Sequence, residues 1–466
     1  MQTLPLITHS HAHSVLAWRN GKAITAARFL SDVARLGVLL PEGLHMLNAC
    51  SDRYWFTVGF AAALTSGKIC LLPSTHTPEM IRELERFAAD TFCLTDNAHC
   101  SVALPQVCIP IAIMNSTTDE NDASTTFTVP EIGTAQTAAF VFTSGSTGTP
   151  VAHRKSWGAL VRNVQAGAQL SGLSDGQHHT LIGTVPPQHM YGFESTVLVV
   201  LQSGNAMLAS NAFFPADICM ALASVPQPRM LVSTPVHLRA ISESGVELPP
   251  IERIVCATAP LSAQFAAQLE TTLRAPLLEI YGSTETGQLA VRDTASSAEW
   301  QLFQDVRLHQ DESGTWASGG HVEQSTLMSD LIKSICPERF LLKGRTADMV
   351  NIAGKRSSLA YLNLQLHAIE GVSDGVFFMP EETMVHGVTR LSALVVAPAL
   401  THATLIARLR ERIDVAFMPR PLMFVEALPR NATGKLPRQA LLAMIAKPGN
   451  TDAPLIRPQM LEAGAA

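Results

Sequence analysis

The sequence predicts an α/β protein of two domains: a large N-terminal one built on parallel-sheet layers and a small α+β one at the C-terminal end. Three observations lead there. The chain has 466 residues, more than one ordinary core absorbs. Between Ala138 and Ile280 short apolar runs alternate with helix-like stretches, and each run ends in a polar loop. Past Gly344–Arg345 the charge balance inverts. Residues 349–447 hold eleven Lys/Arg against seven Asp/Glu, a net of +4, which leaves −10 for the rest of a chain whose total is −6. The expected boundaries are 1–346 for the large domain, 347–447 for the small one and 448–466 for a loose polar tail.

Taken in order, Ala23–Leu39 reads as a helix and Tyr54–Thr65 as an apolar helix ending before Gly67. Ile69–Leu72 is a short strand closed by Pro73, and Pro78–Ala89 an amphipathic helix. The stretch Asn115–Thr128 is polar and reads as an exposed loop. Ala138–Phe142 is a compact apolar strand, followed at once by TSGSTGTP (Thr143–Pro150) and then by a helix over about Trp157–Leu170. Four more strands run into loops: Leu181–Val185 into PPQHMYG, Met230–Val232 into STP, Ile254–Cys256 into ATAPL and Leu278–Ile280 into YGSTETG. Strand ends of this kind are where open α/β sheets hold ligands. In the small domain Val376–Met379, Leu391–Val396 and Leu422–Val425 read as strands, and Thr404–Val415 and Pro437–Ala446 as helices.

Composition excludes several classes. Hydrophobic residues at 47% against 15% charged rule out a disordered chain, and a net charge of −6 gives no reason to expect nucleic-acid binding. The eight cysteines (50, 70, 93, 100, 108, 219, 256 and 336) form no CxxC pair, so reduced, buried thiols are expected rather than a zinc site. The first residues, MQTLPLITHSHAHSVLAW, lack the basic start and apolar stretch of a secretory signal. Apolar runs such as Val197–Leu201 and Ala393–Leu400 are too short to span a membrane, so a soluble, cytoplasmic protein is expected. His9, His11 and His13 alternate, but no Cys, Asp or Glu stands nearby, and a loose terminus is expected rather than a metal site.

Three loops carry the chemical signal. In TSGSTGTP seven hydroxyl or glycine residues stand in a row; small residues let a backbone approach an anion, and their N–H and O–H groups donate to phosphate oxygens. A helix starting just beyond is expected to add its positive end. The loop is not a Walker motif, since Thr149 and Pro150 follow Gly148 where that motif has Lys-Ser/Thr. A plain surface turn is the alternative. In YGSTETG, Tyr281 can stack on a base, Thr284 can bond a phosphate and Glu285 can hold Mg²⁺ as a hard oxygen ligand. In LPRNATGKLPRQAL, Lys435 stands in a loop just ahead of a helix, where an ammonium can reach a phosphate or carboxylate; an ordinary exposed Lys is the alternative.

With GRTADMVNIAGKR, these loops in this order resemble the core motifs of the adenylate-forming superfamily, over about Ala138 to Leu441. That superfamily includes acyl- and aryl-CoA synthetases, luciferases and the adenylation domains of peptide synthetases. The resemblance implies an acid–thiol ligase that forms an acyl-adenylate and pyrophosphate from ATP with Mg²⁺, then a thioester on CoA or on the phosphopantetheine of an acyl carrier protein. It implies a small domain that moves between the two steps. By the same resemblance, Thr143, Ser144, Gly145, Ser146, Thr147 and Gly148 cradle the pyrophosphate half of ATP, and His189 lies beside the carboxylate. Thr258, Ala259 and Pro260 lie against the adenine, and Tyr281 with Gly282 flanks the base. Thr284 contacts the α-phosphate and Glu285 holds the magnesium. Asp330 and Arg345 bind the ribose, Arg356 serves the second step, and Lys435 bridges carboxylate and phosphate during adenylation.

The sequence departs from the family pattern in places. The phosphate loop usually continues Pro-Lys-Gly, but Val151 and Ala152 follow Pro150 here, with His153, Arg154 and Lys155 behind them as candidates for the missing charge. The hinge Asp is Ala347, with Asp348 next, and Met328-Ser329-Asp330 stands for Thr-Gly-Asp. Amino-acid-activating relatives carry Asp after the aromatic residue; Met190 in that place argues against an amino acid. TSGSTGTPVAHRKSW and VPPQHMYGFE are similar to the compact AMP-ligases of aryl-polyene and xanthomonadin-type pigment pathways, which implies a hydroxybenzoate-like aryl acid as substrate. A basic small domain fits a negatively charged thiol carrier, or is merely a solvated face. The competing readings are a fatty acyl ligase on CoA or carrier protein, and a catalytically silent nucleotide-binding relative.

Overall fold

A computed structural model describes residues 2–73, 75–114, 127–144, 150–345, 349–352, 355–380, 391–431 and 434–446. The chain divides into two compact units, Met1–Leu342 and Lys343–Ala466.

Layers of mostly parallel sheet organise the first unit, so the α/β class read from the alternating pattern holds. One sheet runs Pro150–Ser156, Thr137–Ser144, Ile69–Leu72, His45–Asn48, Phe92–Thr95, Gln106–Cys108 from edge to edge. Its pairs are parallel except at the first edge, where Pro150–Ser156 folds back antiparallel on Thr137–Ser144. The second sheet has eleven strands. Its parallel middle runs Leu277–Ser283, Arg253–Cys256, Arg229–Ser233, Thr180–Gly183, Ala206–Leu208, Val15–Arg19. Antiparallel strands extend it at both ends, with Lys22–Thr25 on one side and Gly287–Asp293 and Glu299–Leu302 on the other.

Hydroxyl caps start the crossover helices. Ser156 accepts from the amide of Ala159 ahead of Trp157–Leu170, Thr234 from His237 ahead of Pro235–Ser244, and Ser262 from Phe265 ahead of Ala263–Leu273. The helix Arg53–Thr65 is apolar on every face and buried at all but Thr65, which suits a position inside the core rather than upon it. The Phe60 ring lies 4.9 Å from Phe193 and 6.4 Å from Trp157. Aromatic pairs of this kind add about 0.5–1.5 kcal/mol each beyond their buried area. They fix the helical segment that begins at Met190 against two other helices.

The second unit is α+β. The strands Asp374–Phe378, Ser392–Val396 and Leu422–Phe424 form one sheet, and Met349–Ile352 pairs with Lys355–Ser358. The helices Leu359–His367, His402–Arg410 and Arg438–Ala446 complete it, with Leu362, Leu366, Phe377, Leu405 and Leu409 at the centre of its core.

Several expectations need correction. Lys22–Thr25 pairs as a strand with Val15–Arg19, so the first helix begins only at Ala26. The N-terminal stretch is not loose: Thr3–Pro5 pairs with Glu131–Gly133, and His9 is buried with Nε2 3.0 Å from the Asn205 carbonyl. Burial pulls its pKa to about 4, so this imidazole is neutral. The helix expected over Thr404–Val415 ends at Arg410, and a 3₁₀ turn follows at Val415–Phe417. Cys108 and Cys336 are exposed rather than buried, although no cysteine is paired. Residues 115–126 and the tail from Pro448 lie outside the described residues. No described helix is long and apolar enough to cross a membrane.

Candidate active site

The hydroxyl-rich segment begins at a strand end. Thr143 and Ser144 end one strand, Pro150 starts the next, and the strand runs to Ser156 before the helix at Trp157 begins. Seven residues of strand cover about 23 Å, so the helix N-terminus does not serve this loop as expected. The strand carries three basic residues with different partners. Arg154 turns aside, donating from Nε to Thr137 Oγ1 at 2.9 Å and from Nη2 to the Ala135 carbonyl at 3.0 Å. Lys155 is buried and donates from Nζ to the Glu285 carbonyl at 2.9 Å. Burial lowers its pKa, against the pull of Glu194, Glu285 and Glu323. His153 is the third, and burial lowers its pKa against the pull of Glu285. Its Nε2 lies 2.9 Å from Thr143 Oγ1, a diagonal cross-strand neighbour, and 3.7 Å from Glu285 Oε1.

A second hairpin supplies the acidic partner. Leu277–Ser283 turns through Thr284, Glu285 and Thr286 into Gly287–Asp293. Ser283 and Thr286 close the turn, with their hydroxyls 3.1 Å apart and the Ser283 hydroxyl accepting from the Thr286 amide. Gly287 has φ +75°, and a Cβ there would stand 2.9 Å from Glu194 Oε1, so the turn needs glycine at this point. Glu285 is 41% exposed at its side chain. Burial pushes its pKa up, but hydrogen bonds within the turn and the nearby His153 and Lys155 charges hold it below the usual carboxylate range. A single ionised carboxylate beside hydroxyl groups suits Mg²⁺, which takes one or two protein carboxylates and completes its shell with phosphate oxygens and water. Among the described residues no cluster of three acidic, His or Cys groups forms an all-protein metal cage.

The remaining strand-end loops are tied to one another. Tyr191 donates its hydroxyl to the carbonyls of Ser233 and Val255, both at 3.1 Å, and so links the HMYG turn to two neighbouring strands. Arg53, fully buried, donates to the Gly183 and Val185 carbonyls at 3.0 Å and to Thr196, fixing where this loop leaves its strand. His189 is the N-cap residue of the turn Met190–Gly192. Thr258 sits at φ +86° on the loop after Arg253–Cys256, a costly conformation for a β-branched residue of the kind found at ligand sites. It and Pro260 are exposed, and Ala259 is half-buried. Tyr281 donates its hydroxyl to Asp330 Oδ2 at 2.6 Å, while its ring packs on Trp300 and Phe340.

In the second unit Lys435 is exposed at the end of a braced turn. Asn431 Oδ1 accepts from the Lys435 amide at 2.9 Å, and the Asn431 amide donates to the Lys435 carbonyl at 2.9 Å. Arg430 donates to the Gly434 carbonyl at 2.8 Å and forks onto both oxygens of Asp374 at 2.9 and 2.7 Å. Burial raises the Asp374 pKa, but the nearby His367, with Nε2 3.5 Å from Oδ1, and the Arg430 fork hold it well below the ordinary range.

The first unit thus brings together Thr143, Glu285, Tyr281 and Asp330, with Thr284 in the same turn. Lys435 stands in the second unit. Gly145–Gly148 lie outside the described residues, as do the side chains of Ser144, Arg345 and Arg356. The sequence reading missed Glu194, Ser195 and Gln288, which lie buried behind the Glu285 turn. A signal was available: Glu194 is the one charge in the run MYGFESTVLVV, inside an otherwise apolar helix.

Residues 11–311 match the family described as AMP-binding enzyme. The chain is 30% identical over 306 residues to a 4-coumarate–CoA ligase of Rhodobacter capsulatus, covering 65% of this chain and 75% of that one. It is 23% identical over 351 residues to a 3-hydroxybenzoate–CoA/4-hydroxybenzoate–CoA ligase of Thauera aromatica, covering 66% of each. Its fold matches o-succinylbenzoate CoA synthetase of Bacillus subtilis, solved with an acyl-adenylate, at a TM-score of 0.79 and 16% identity over 97% of this chain and 100% of that one. The same enzyme has been solved with ATP and a magnesium ion. The chain belongs to the AMP-binding enzyme family, as an adenylate-forming ligase.

Proposed function

We propose that the protein activates a small aryl acid of the hydroxybenzoate class as its acyl-adenylate and passes the acyl group to a thiol, either CoA or the phosphopantetheine of a carrier protein. The observation that carries the reading is the meeting of Thr143, His153 and Glu285, next to the Tyr281–Asp330 pair. Aryl acids are the substrates named for the relatives from Rhodobacter and Thauera. The likeness of TSGSTGTPVAHRKSW and VPPQHMYGFE to pigment-pathway AMP-ligases points the same way.

In adenylation a carboxylate oxygen attacks the α-phosphorus, the C(O)–O–P bond forms, and the bond to the β-phosphate breaks with pyrophosphate leaving. Two anions must approach each other, so positive groups decide the barrier. Thr143 and His153 are placed to donate to the leaving pyrophosphate. Thr284 stands where an α-phosphate oxygen is held, and Lys435 supplies a charge that bridges carboxylate and phosphate. A magnesium ion held by Glu285 and the ATP phosphates would offset the phosphate charge. Asp330, oriented by Tyr281, accepts from the ribose hydroxyls, a role that the family resemblance also gives to Arg345. In the second step the thiol attacks the acyl carbonyl and AMP leaves; Arg356 serves this step. The large unit, as 1–346, binds ATP and acid, and residues 347–447 move between the steps. The net charge of +4 over 349–447 suits an acceptor that carries phosphates or acidic residues.

The test is direct. Incubation with ATP, Mg²⁺, 4-hydroxybenzoate and either CoA or a phosphopantetheinylated carrier protein should give AMP, pyrophosphate and one thioester in equal amounts, read by mass spectrometry. Formation of ADP, or of AMP without any thioester, contradicts the reading.

A further inference from the structure

Behind the Glu285 turn lies a small cavity of about 20 Å³, between three neighbouring parallel strands and the helix Trp157–Leu170. Val232, Val255 and Ile280 form its apolar wall, one from each strand, and Ile280 is the residue before Tyr281. Its polar wall is Glu194, Ser195 and Gln288. A space of this size holds one water-sized group, since about 10–15 Å³ suffices for a water. It accommodates a hydroxyl or an amino group and no ring or alkyl chain.

The polar wall is built. Glu194 and Ser195 lie in the π-helical turn Phe193–Leu198, a wide turn that recurs at functional sites. Ser195 Oγ accepts from Gln288 Nε2 at 2.9 Å, which leaves the Ser195 proton free to turn inward. Glu194 is 2% exposed, and its Oε1 has no hydrogen-bond partner among the described residues. Asn163 Oδ1, on the adjoining helix beside the same glycine turn, is also without one among them. Of these, Glu194 lines the cavity, and its open acceptor calls for a donor, because an unmet buried acceptor costs about 1–3 kcal/mol. Burial raises the Glu194 pKa to about 8, with Lys155 and Gln288 opposing, so the carboxyl is not held as a permanent ion that a neutral ligand would fail to satisfy.

We propose that this cavity takes the polar tip of the acid substrate, and that Glu194 selects acids carrying a hydrogen-bond donor, a hydroxyl above all, at the ring position opposite the carboxylate. This rests on the aryl-acid reading above and adds to it which group is read and by which residue. A donor-bearing acid fills the cavity and satisfies Glu194 Oε1. An unsubstituted acid leaves it unmet, and sites built to bond a substrate hydroxyl reject analogues that lack one.

The experiment measures ATP–pyrophosphate exchange for benzoate, 4-hydroxybenzoate and 4-aminobenzoate with the wild type, Glu194→Met and Glu194→Gln. The wild type should prefer 4-hydroxybenzoate over benzoate in kcat/KM by at least about tenfold, the scale of one buried hydrogen bond. Glu194→Met should erase that preference by losing the hydroxy acid while keeping benzoate, and Glu194→Gln, which keeps an acceptor oxygen, should restore part of it. Equal use of benzoate and 4-hydroxybenzoate by the wild type overturns the proposal and leaves aryl-acid adenylation standing. A preference that survives in Glu194→Met overturns it too, and assigns the cavity to a structural water. Exchange with no aromatic acid at all removes both the proposal and the reading beneath it. If Glu194→Met fails to fold, both acids are lost together, and the wild-type ratio with Glu194→Gln decides.

Discussion

Lys155, on the strand Pro150–Ser156, and Lys435, just ahead of a helix, are treated by the structure in opposite ways. Lys155 is buried, its ammonium is spent on the Glu285 carbonyl, and burial lowers its pKa. Lys435 is exposed, and only its backbone is held, by Asn431. The difference separates two uses of charge. In the first unit charge sets geometry: Lys155 fixes the turn that presents Glu285, and His153 lies beside Thr143 and Glu285. In the second unit the turn is fixed and the charge stays free in water, with no desolvation cost until a substrate covers it.

That contrast can be broken most forcefully at Lys435. Lys435→Ala should lower adenylation by at least about 10²-fold, the scale of losing one electrostatic stabiliser. Its melting temperature should stay at the wild-type value, because an exposed side chain contributes little to stability. A variant that adenylates normally would remove Lys435 from the mechanism. The next effect is smaller and sharpens the assignment of the hairpin charges. His153→Ala should weaken ATP binding by about tenfold, the worth of a hydrogen bond to a charged group, whereas Arg154→Ala should leave it within about twofold, as for an exposed ion pair. Calorimetric titration of ATP into both variants distinguishes them, and equal losses would contradict the separation.

The smallest effect concerns the brace rather than the charge. Arg430→Ala should destabilise the second unit by about 1–3 kcal/mol, since Asp374 then loses its charge-assisted forked partner, and should lower adenylation only a few-fold. The pH dependence follows from the sign of the Asp374 shift. Its folded pKa is depressed below 3.8, so the stabilisation is fully present above that value and disappears as pH falls through the folded one. Denaturant unfolding of wild type and variant should therefore differ most near neutrality and converge in acid. A gap that widens toward low pH would show that Arg430 acts through something other than Asp374.

Much of this was legible from the residues. Ile69–Leu72 and Trp157–Leu170 were read with their bounds as found, because a Pro closes one and a Ser caps the other. The five strand-end loops were visible as polar runs following apolar ones. What stayed hidden was pairing between distant residues. The residues offer no sign that Pro150–Ser156 is a strand, since Pro-Val-Ala-His-Arg-Lys-Ser is held at a sheet edge by its pairing with Thr137–Ser144 and not by its own propensity. Residues His153, Arg154 and Lys155 look alike in sequence, and only the alternation of that strand turns Arg154 away from the face that His153 and Lys155 share toward Glu285. Glu194 carried a local signal in its apolar run, but its partners Ser195, Gln288 and Asn163 meet it through tertiary packing, 93 residues apart in the case of Ser195 and Gln288.

The most direct measurement of the central claim is ATP–pyrophosphate exchange with Mg²⁺ and 4-hydroxybenzoate in the complete absence of any thiol. Exchange that depends on the acid and falls by at least about 10²-fold in Lys435→Ala is the expected result. Absence of exchange with every aromatic acid tried, while ATP still binds, would contradict adenylation of an aryl acid as the activity of this protein.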